Sequence, residues 1–210
     1  MARTRIKICG LTREADIFAA ASLGVDAIGL VFCRVSSRFV EIEQAVELVR
    51  AVPPFVTTVG LFMDNTADDV SQVLSRIPLD VLQFHGAEDA AFCRQFGRAY
   101  MKALPMKGDV DVRAYATSFP DALGFFADSH SPGQAGGTGQ AFDWSRYPGD
   151  LEKPVILAGG LTPQNVAQAV RQTRPYGVDV SSGVEVEKGV KDAQKMAEFV
   201  SEVNRVRHEE

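Results

Sequence analysis

Several short stretches of the sequence combine residue types and spacing that could do chemistry. In KICGLT the thiol of Cys9 stands just before a glycine, and as a thiolate it could act as a base or a nucleophile. A lone cysteine is more often a small buried hydrophobe. That reading suits Cys93, inside a helical pattern, while Cys33 also follows a strand-like run. Asp128 follows the apolar run GFFA, and such surroundings tend to raise a carboxyl pKa and keep the group protonated as a general acid. The same aspartate could instead cap a helix or hydrogen-bond a loop. LAGGLTPQN carries Gly159 and Gly160, and VSSGVE carries Ser181, Ser182 and Gly183. Glycines that let the backbone approach, hydroxyls and N–H donors are what a phosphate needs. Either stretch alone reads better as an ordinary tight turn; together at neighbouring positions they favour the anion.

Two other chemistries find little support. Cys9, Cys33, His85 and Asp128 could face one mouth, but no CxxC or HxxxH spacing accompanies them, and His130 and His208 lie in a loop and near the C-terminal tail. No metal site is expected. Nor is there a G-x-S-x-G elbow for Ser-His-Asp hydrolysis.

The elements that must hold these residues follow from the hydrophobic pattern. Eight strand-like runs recur about every 25 residues: Arg5 to Cys9, Ala27 to Phe32, Thr57 to Phe62, Val81 to His85, Tyr100 to Pro105, Ala122 to Ser129, Pro154 to Gly159 and Tyr176 to Ser182. Helical patterns lie between them at Glu14 to Leu23, Glu41 to Val52, Ala67 to Ile77, Asp89 to Phe96, Val110 to Thr117, Pro163 to Thr173 and Asp192 to Val206, with the sixth missing or very short. Thr162 before Pro163 reads as a capping residue followed by proline in the first helical position. Eight βα units in 210 residues, without a linker or composition shift, predict a single (β/α)8 TIM barrel over residues 1–210. A doubly wound sheet is the alternative, disfavoured because no G-x-G-x-x-G follows the first strand. In a barrel the reacting groups sit at the C-terminal ends of the strands, which is where Cys9, His85, Asp128, Gly159 and Ser181 fall. Alternation with outward Ile6 and Ile8 points Cys9 inward.

Composition bounds the function. The chain is 46% hydrophobic and 23% charged, with 22 basic against 27 acidic side chains, which excludes a disordered chain. Three cysteines are too few for a disulfide scaffold. A net charge of -5 without a Lys/Arg cluster argues against a nucleic-acid partner. Apolar runs such as Ala27 to Cys33 are far too short to cross a membrane, and no apolar signal-peptide core follows the N-terminus, so a cytoplasmic protein is expected.

These motifs together resemble the phosphoribosylanthranilate isomerases of tryptophan biosynthesis, over nearly the whole chain. The resemblance rests on KICGLT (7–12), GLVFCRVSSR (29–38), VGLF (59–62), QFHG (83–86), Asp128-Ser129, GGTG (136–139), FDW (142–144), LAGGL (157–161) and VDVSSGVE (178–185). It implies that Cys9 is the general base and Asp128 the general acid. It implies also that Arg38 faces the anthranilate carboxylate, that His85 contacts substrate, and that Gly159, Gly160, Ser182 and Gly183 hold the phosphate. Two departures stand out: Ser37 where the family usually has proline, and Phe84 where it usually has leucine. Losing the proline leaves the Arg38 loop less fixed in the free enzyme. A related histidine-pathway isomerase carries aspartate at the position of Cys9, so the thiol argues against that sibling.

The implied chemistry, conversion of N-(5-phosphoribosyl)anthranilate to 1-(2-carboxyphenylamino)-1-deoxyribulose 5-phosphate, needs one acid and one base. The anthranilate nitrogen is the electron sink, so no metal or organic cofactor is expected. The rival readings are a non-catalytic phosphosugar-binding barrel, which would not need Cys9 and Asp128, and a related sugar-phosphate isomerase or epimerase. The expected partner is a small phosphorylated substrate, and the chain is expected to be a monomer or homodimer. Strand parity adds one further expectation. Lys7 must point inward with Cys9, and Asp179 shares the inward face of the eighth strand with Ser181, so closure of the barrel would pair Lys7 with Asp179 beneath the site. The alternative is that Lys7 extends to the mouth and favours the Cys9 thiolate directly.

Overall fold

The protein is described by a computed structural model covering residues 3–106, 108, 110–128 and 143–208. Ser129, His130, the GGTG segment and Phe142 lie outside the described residues. Eight parallel strands close into a barrel in chain order: β1 (Arg5–Cys9), β2 (Ala27–Val31), β3 (Thr57–Phe62), β4 (Val81–Phe84), β5 (Tyr100–Pro105), β6 (Phe125–Asp128), β7 (Val155–Leu157) and β8 (Gly177–Val180). Closure is made by β1 against β8, with Lys7 opposite Asp179. This is the TIM barrel expected from the periodicity, with most strands a residue or more shorter than the apolar runs.

Helices α1 (Glu14–Ser22), α2 (Ile42–Arg50), α3 (Ala67–Arg76), α4 (Ala90–Arg94), α5 (Val112–Thr117), α6 (Val166–Thr173) and α7 (Ala193–His208) cover the outside. Side-chain caps set the starts of α3, α4, α5 and α7. Thr66 and Asp69 form a reciprocal capping box on α3, and Asp89 and Asp111 each accept from backbone N–H groups of the first turn of α4 and α5. Asp192 does the same for Gln194 and Lys195. The predicted start of α6 is corrected: Thr162 does not cap it. Pro163 sits instead in a turn whose Thr162 carbonyl accepts from Asn165 and Val166, and the helix begins three residues later. A 3-10 turn at Trp144–Arg146 precedes β7. An unpredicted antiparallel hairpin, β9 (Glu185–Glu187) and β10 (Val190–Lys191), follows β8.

Strand alternation divides the core into two layers. Outward residues such as Ile6, Ile8, Leu30, Phe62, Phe84, Leu104 and Val178 join the helices in one large apolar cluster. Each such fully buried side chain contributes about 1.5–3 kcal/mol. Phe84 packs among Phe62, Phe92, Phe96 and Tyr100 at 5.8–6.1 Å between ring centroids, so this ring belongs to the outer layer, away from the barrel mouth. The barrel interior holds two small apolar clusters, Ala103, Phe126, Ile156 and Ala158 on one side, and Cys9, Val31 and Cys33 near the mouth. The interior also holds buried polar groups, Lys7 paired with Asp179 and Gln83 beside His85.

Candidate active site

The C-terminal mouth of the barrel opens into a cavity continuous with solvent. Cys9 and Asp128, the last residues of β1 and β6, both line it, and both are buried. So do Arg38, His85, Gly159, Gly160 and Ser182. Gly183 stands just behind: a methyl group added there would fall 1.9 Å from the Leu161 carbonyl oxygen, so its lack of a side chain lets the loops after β7 and β8 touch. Gly159 and Gly160 turn the first of these loops with φ of 81° and 66°, a region glycine enters without strain. Asn165 locks it, accepting from the Thr162 N–H and donating to the Gly160 carbonyl.

Burial pushes the Cys9 thiol up from its ordinary value, and the ammonium groups of Lys7 and Lys191 pull it back only in part. Lys7 lies 3.0 Å from both carboxylate oxygens of Asp179, and the two side chains are 6% and 10% exposed. The pair expected from strand parity is therefore present. Burial alone would lower the Lys7 pKa; Asp179 and Cys9 more than offset it and hold the ammonium charged. Burial pushes the Asp179 carboxyl up, against the pull of Lys7. His85 Nε2 stands 3.4 Å from Asp128, and its Nδ1 is 3.2 Å from Gln83 Nε2.

Arg38 is fixed without the proline. Its Nε and one terminal nitrogen bind both oxygens of Glu185 at 2.8 and 2.7 Å, and its backbone N–H bonds the Ser36 hydroxyl. The loop is thus tied down by contacts that sequence reasoning did not include. Gly10, at φ 73°, lies under the Arg38 side chain, where a methyl would come within 2.4 Å of Cδ. Lys191 donates to Glu185 at 2.7 Å and to the Ser181 carbonyl at 3.1 Å.

The sequence reading missed Glu185 and Lys191, although Glu185 closes the VDVSSGVE motif. It also missed Lys102, which shares the outward parity of Tyr100 and Leu104 and lies fully buried, 3.1 Å from Glu88. Lys102 bonds the Gly86 carbonyl and Glu88 accepts from the Gly86 N–H, so this ion pair anchors the turn directly after His85. Val31, Leu61 and Met63 give the cavity one apolar wall. Among the described residues, no three His, Cys, Asp or Glu side chains converge in a way that could hold a metal ion.

A thiol, a carboxyl, a held guanidinium, an apolar wall and a glycine-bearing loop thus line one cavity. The family profile described as N-(5'phosphoribosyl)anthranilate (PRA) isomerase matches residues 6–202. Over its full length the chain is 52% identical to the N-(5'-phosphoribosyl)anthranilate isomerase of Pseudomonas aeruginosa UCBPP-PA14, covering all of both proteins. A crystal structure of phosphoribosyl anthranilate isomerase in complex with reduced 1-(o-carboxyphenylamino)-1-deoxyribulose 5-phosphate superposes with a TM-score of 0.84 at 31% identity, covering 96% of this chain and 99% of that one. A structure of monomers generated from the dimeric Thermotoga maritima isomerase gives a TM-score of 0.83 at 29% identity, over 96% and 98% of the two chains.

Proposed function

The chain belongs to the N-(5'-phosphoribosyl)anthranilate isomerase family of tryptophan biosynthesis, and on that premise we propose that Cys9 and Asp128 are its general base and general acid. The observation that carries this reading is that both are inward strand-end residues lining the same cavity. Asp128 protonates the furanose ring oxygen as the C1–O bond breaks, and the nitrogen lone pair forms the Schiff base. Cys9 thiolate then removes the C2 proton, and the electrons flow back to nitrogen to give the enolamine, which tautomerises to the ketone. The remaining lining takes the rest of the substrate. Arg38 meets the anthranilate carboxylate, and the ring lies against Val31, Leu61 and Met63. The phosphate rests on Gly159, Gly160, Ser182 and Gly183, and His85 holds the Asp128 side of the sugar. A cytoplasmic enzyme acting without a cofactor, as a monomer or homodimer, completes the reading.

The test is to mix the purified protein with N-(5-phosphoribosyl)anthranilate and follow loss of the aminobenzoate fluorescence. Enzyme-dependent loss with formation of the aminoketose is expected. Binding of the substrate without turnover would instead mark a phosphosugar-binding barrel.

A further inference from the structure

The Lys7–Asp179 pair is more than a neutralised charge in the barrel floor, because its two ends face different groups. The ammonium and the Cys9 sulfur sit together over Gly29: a methyl at Gly29 would lie 2.7 Å from Sγ and 3.1 Å from Nζ. The space that lets them meet exists because β2 has no side chain there. Lys7 Nζ also stands 5.1 Å from the Phe126 ring, which helps keep that end dry. Asp179 at the carboxylate end lines the same cavity as Asp128 and His85, and both act electrostatically on it.

We propose that this ion pair works as an oriented dipole, its ammonium favouring the Cys9 thiolate and its carboxylate favouring the proton on Asp128. Lys7 and Asp179 are then positioning residues that act through the base and the acid. The direction at each end suits the chemistry, which needs the thiol ionised and the carboxyl neutral at the same moment. The attraction between Lys7 and a thiolate is mutual, as is the repulsion between two neighbouring carboxylates. Other charges share the cavity. Lys191 from β10 also lowers the thiol pKa and Arg38 from the loop after β2 also couples to it, while Asp179 itself opposes thiolate formation more weakly than Lys7 favours it. The inference rests on the roles proposed above for Cys9 and Asp128, and its test separates the two.

The measurement is the pH dependence of iodoacetamide labelling at Cys9, resolved from the other cysteines by peptide mass spectrometry, alongside steady-state kinetics. Lys7→Met should raise the Cys9 labelling pKa by about one unit or more, lowering the rate at pH 8 roughly tenfold per unit. Asp179→Asn should lower it. Because either single variant leaves a buried charge alone and could fail to fold, the decisive protein is Lys7→Met/Asp179→Leu, in which an apolar pair replaces the ionic one. It should fold, keep the raised labelling pKa, and lose about ten- to a hundredfold in kcat with KM changed less than about threefold. A double variant that regains activity together with stability, or a labelling pKa unmoved in it, would overturn the proposal and leave a structural pair only. If Cys9→Ala were fully active while the labelling shifts held, the base assignment would be the part that fails.

Discussion

A thiol and a carboxyl make an acid–base pair only when each is in the protonation state opposite to its intrinsic preference. Burial makes this harder for Cys9, since it pushes the thiol above its ordinary value of 9.0. At neutral pH the productive form, thiolate with carboxylic acid, is therefore a minority that exchanges with the more common thiol and carboxylate. The fraction in productive form holds a plateau between the two titrations, falls in acid as the thiolate is protonated, and falls in base as the acid is lost. With chemistry rate-limiting, the basic limb of the kcat/KM profile is expected above pH 9, where the buried thiol titrates. A limb near neutrality would point to a different group. At this scale the site was largely legible: Cys9 and Asp128 each end an apolar strand run, and a strand end in a barrel is a place at the mouth. Lys102 was not legible, because its place is set by a partner, Glu88, that lies in the loop after the neighbouring strand.

Elements hold the substrate-facing groups through contacts that no local pattern reveals. The hairpin of β9 and β10 folds back so that Glu185 receives Arg38 from the loop after β2 and Lys191 from its own second strand. Sequence periodicity stopped at β8, since strands of three and two residues carry too little alternation to be seen. The start of α6 was misread for a related reason: Thr-Pro satisfies a turn as well as a helix cap, and Asn165 decided between them. Glu185 carries a testable pH dependence. Burial would raise its pKa, but the bonds from Arg38 and Lys191 outweigh that and hold it below the ordinary 4.5. A depressed folded-state pKa contributes stability that is present above the unfolded value and lost as pH falls through the folded one. Glu185→Gln should thus cost roughly 3 to 5 kcal/mol in denaturant unfolding at pH 7. The deficit should shrink at pH 3, where the wild-type carboxylate is itself being protonated. An equal deficit at both pH values would show that the charge is not what matters. The same variant frees Arg38 and should raise KM for the anthranilate substrate more than it lowers kcat.

At the scale of the molecule, barrel closure converts distant positions into one site. Lys7 and Asp179 are 172 residues apart in sequence, yet parity and the adjacency of first and last strands were enough to anticipate their pairing. The strand count and spacing likewise anticipated the barrel, because eight repeated βα units admit few closed arrangements. What stayed beyond reach was how the loops interlock over the mouth, which depends on side-chain contacts among residues far apart in the chain. The central claim is that this fold places one base and one acid around a phosphorylated anthranilate glycoside. Steady-state isomerisation by Cys9→Ala and Asp128→Asn, with folding checked by circular dichroism, tests it most directly. Each variant should lose about two to four orders of magnitude in kcat while keeping a native spectrum; a folded variant of either kind that retains more than half of the wild-type kcat would contradict the account.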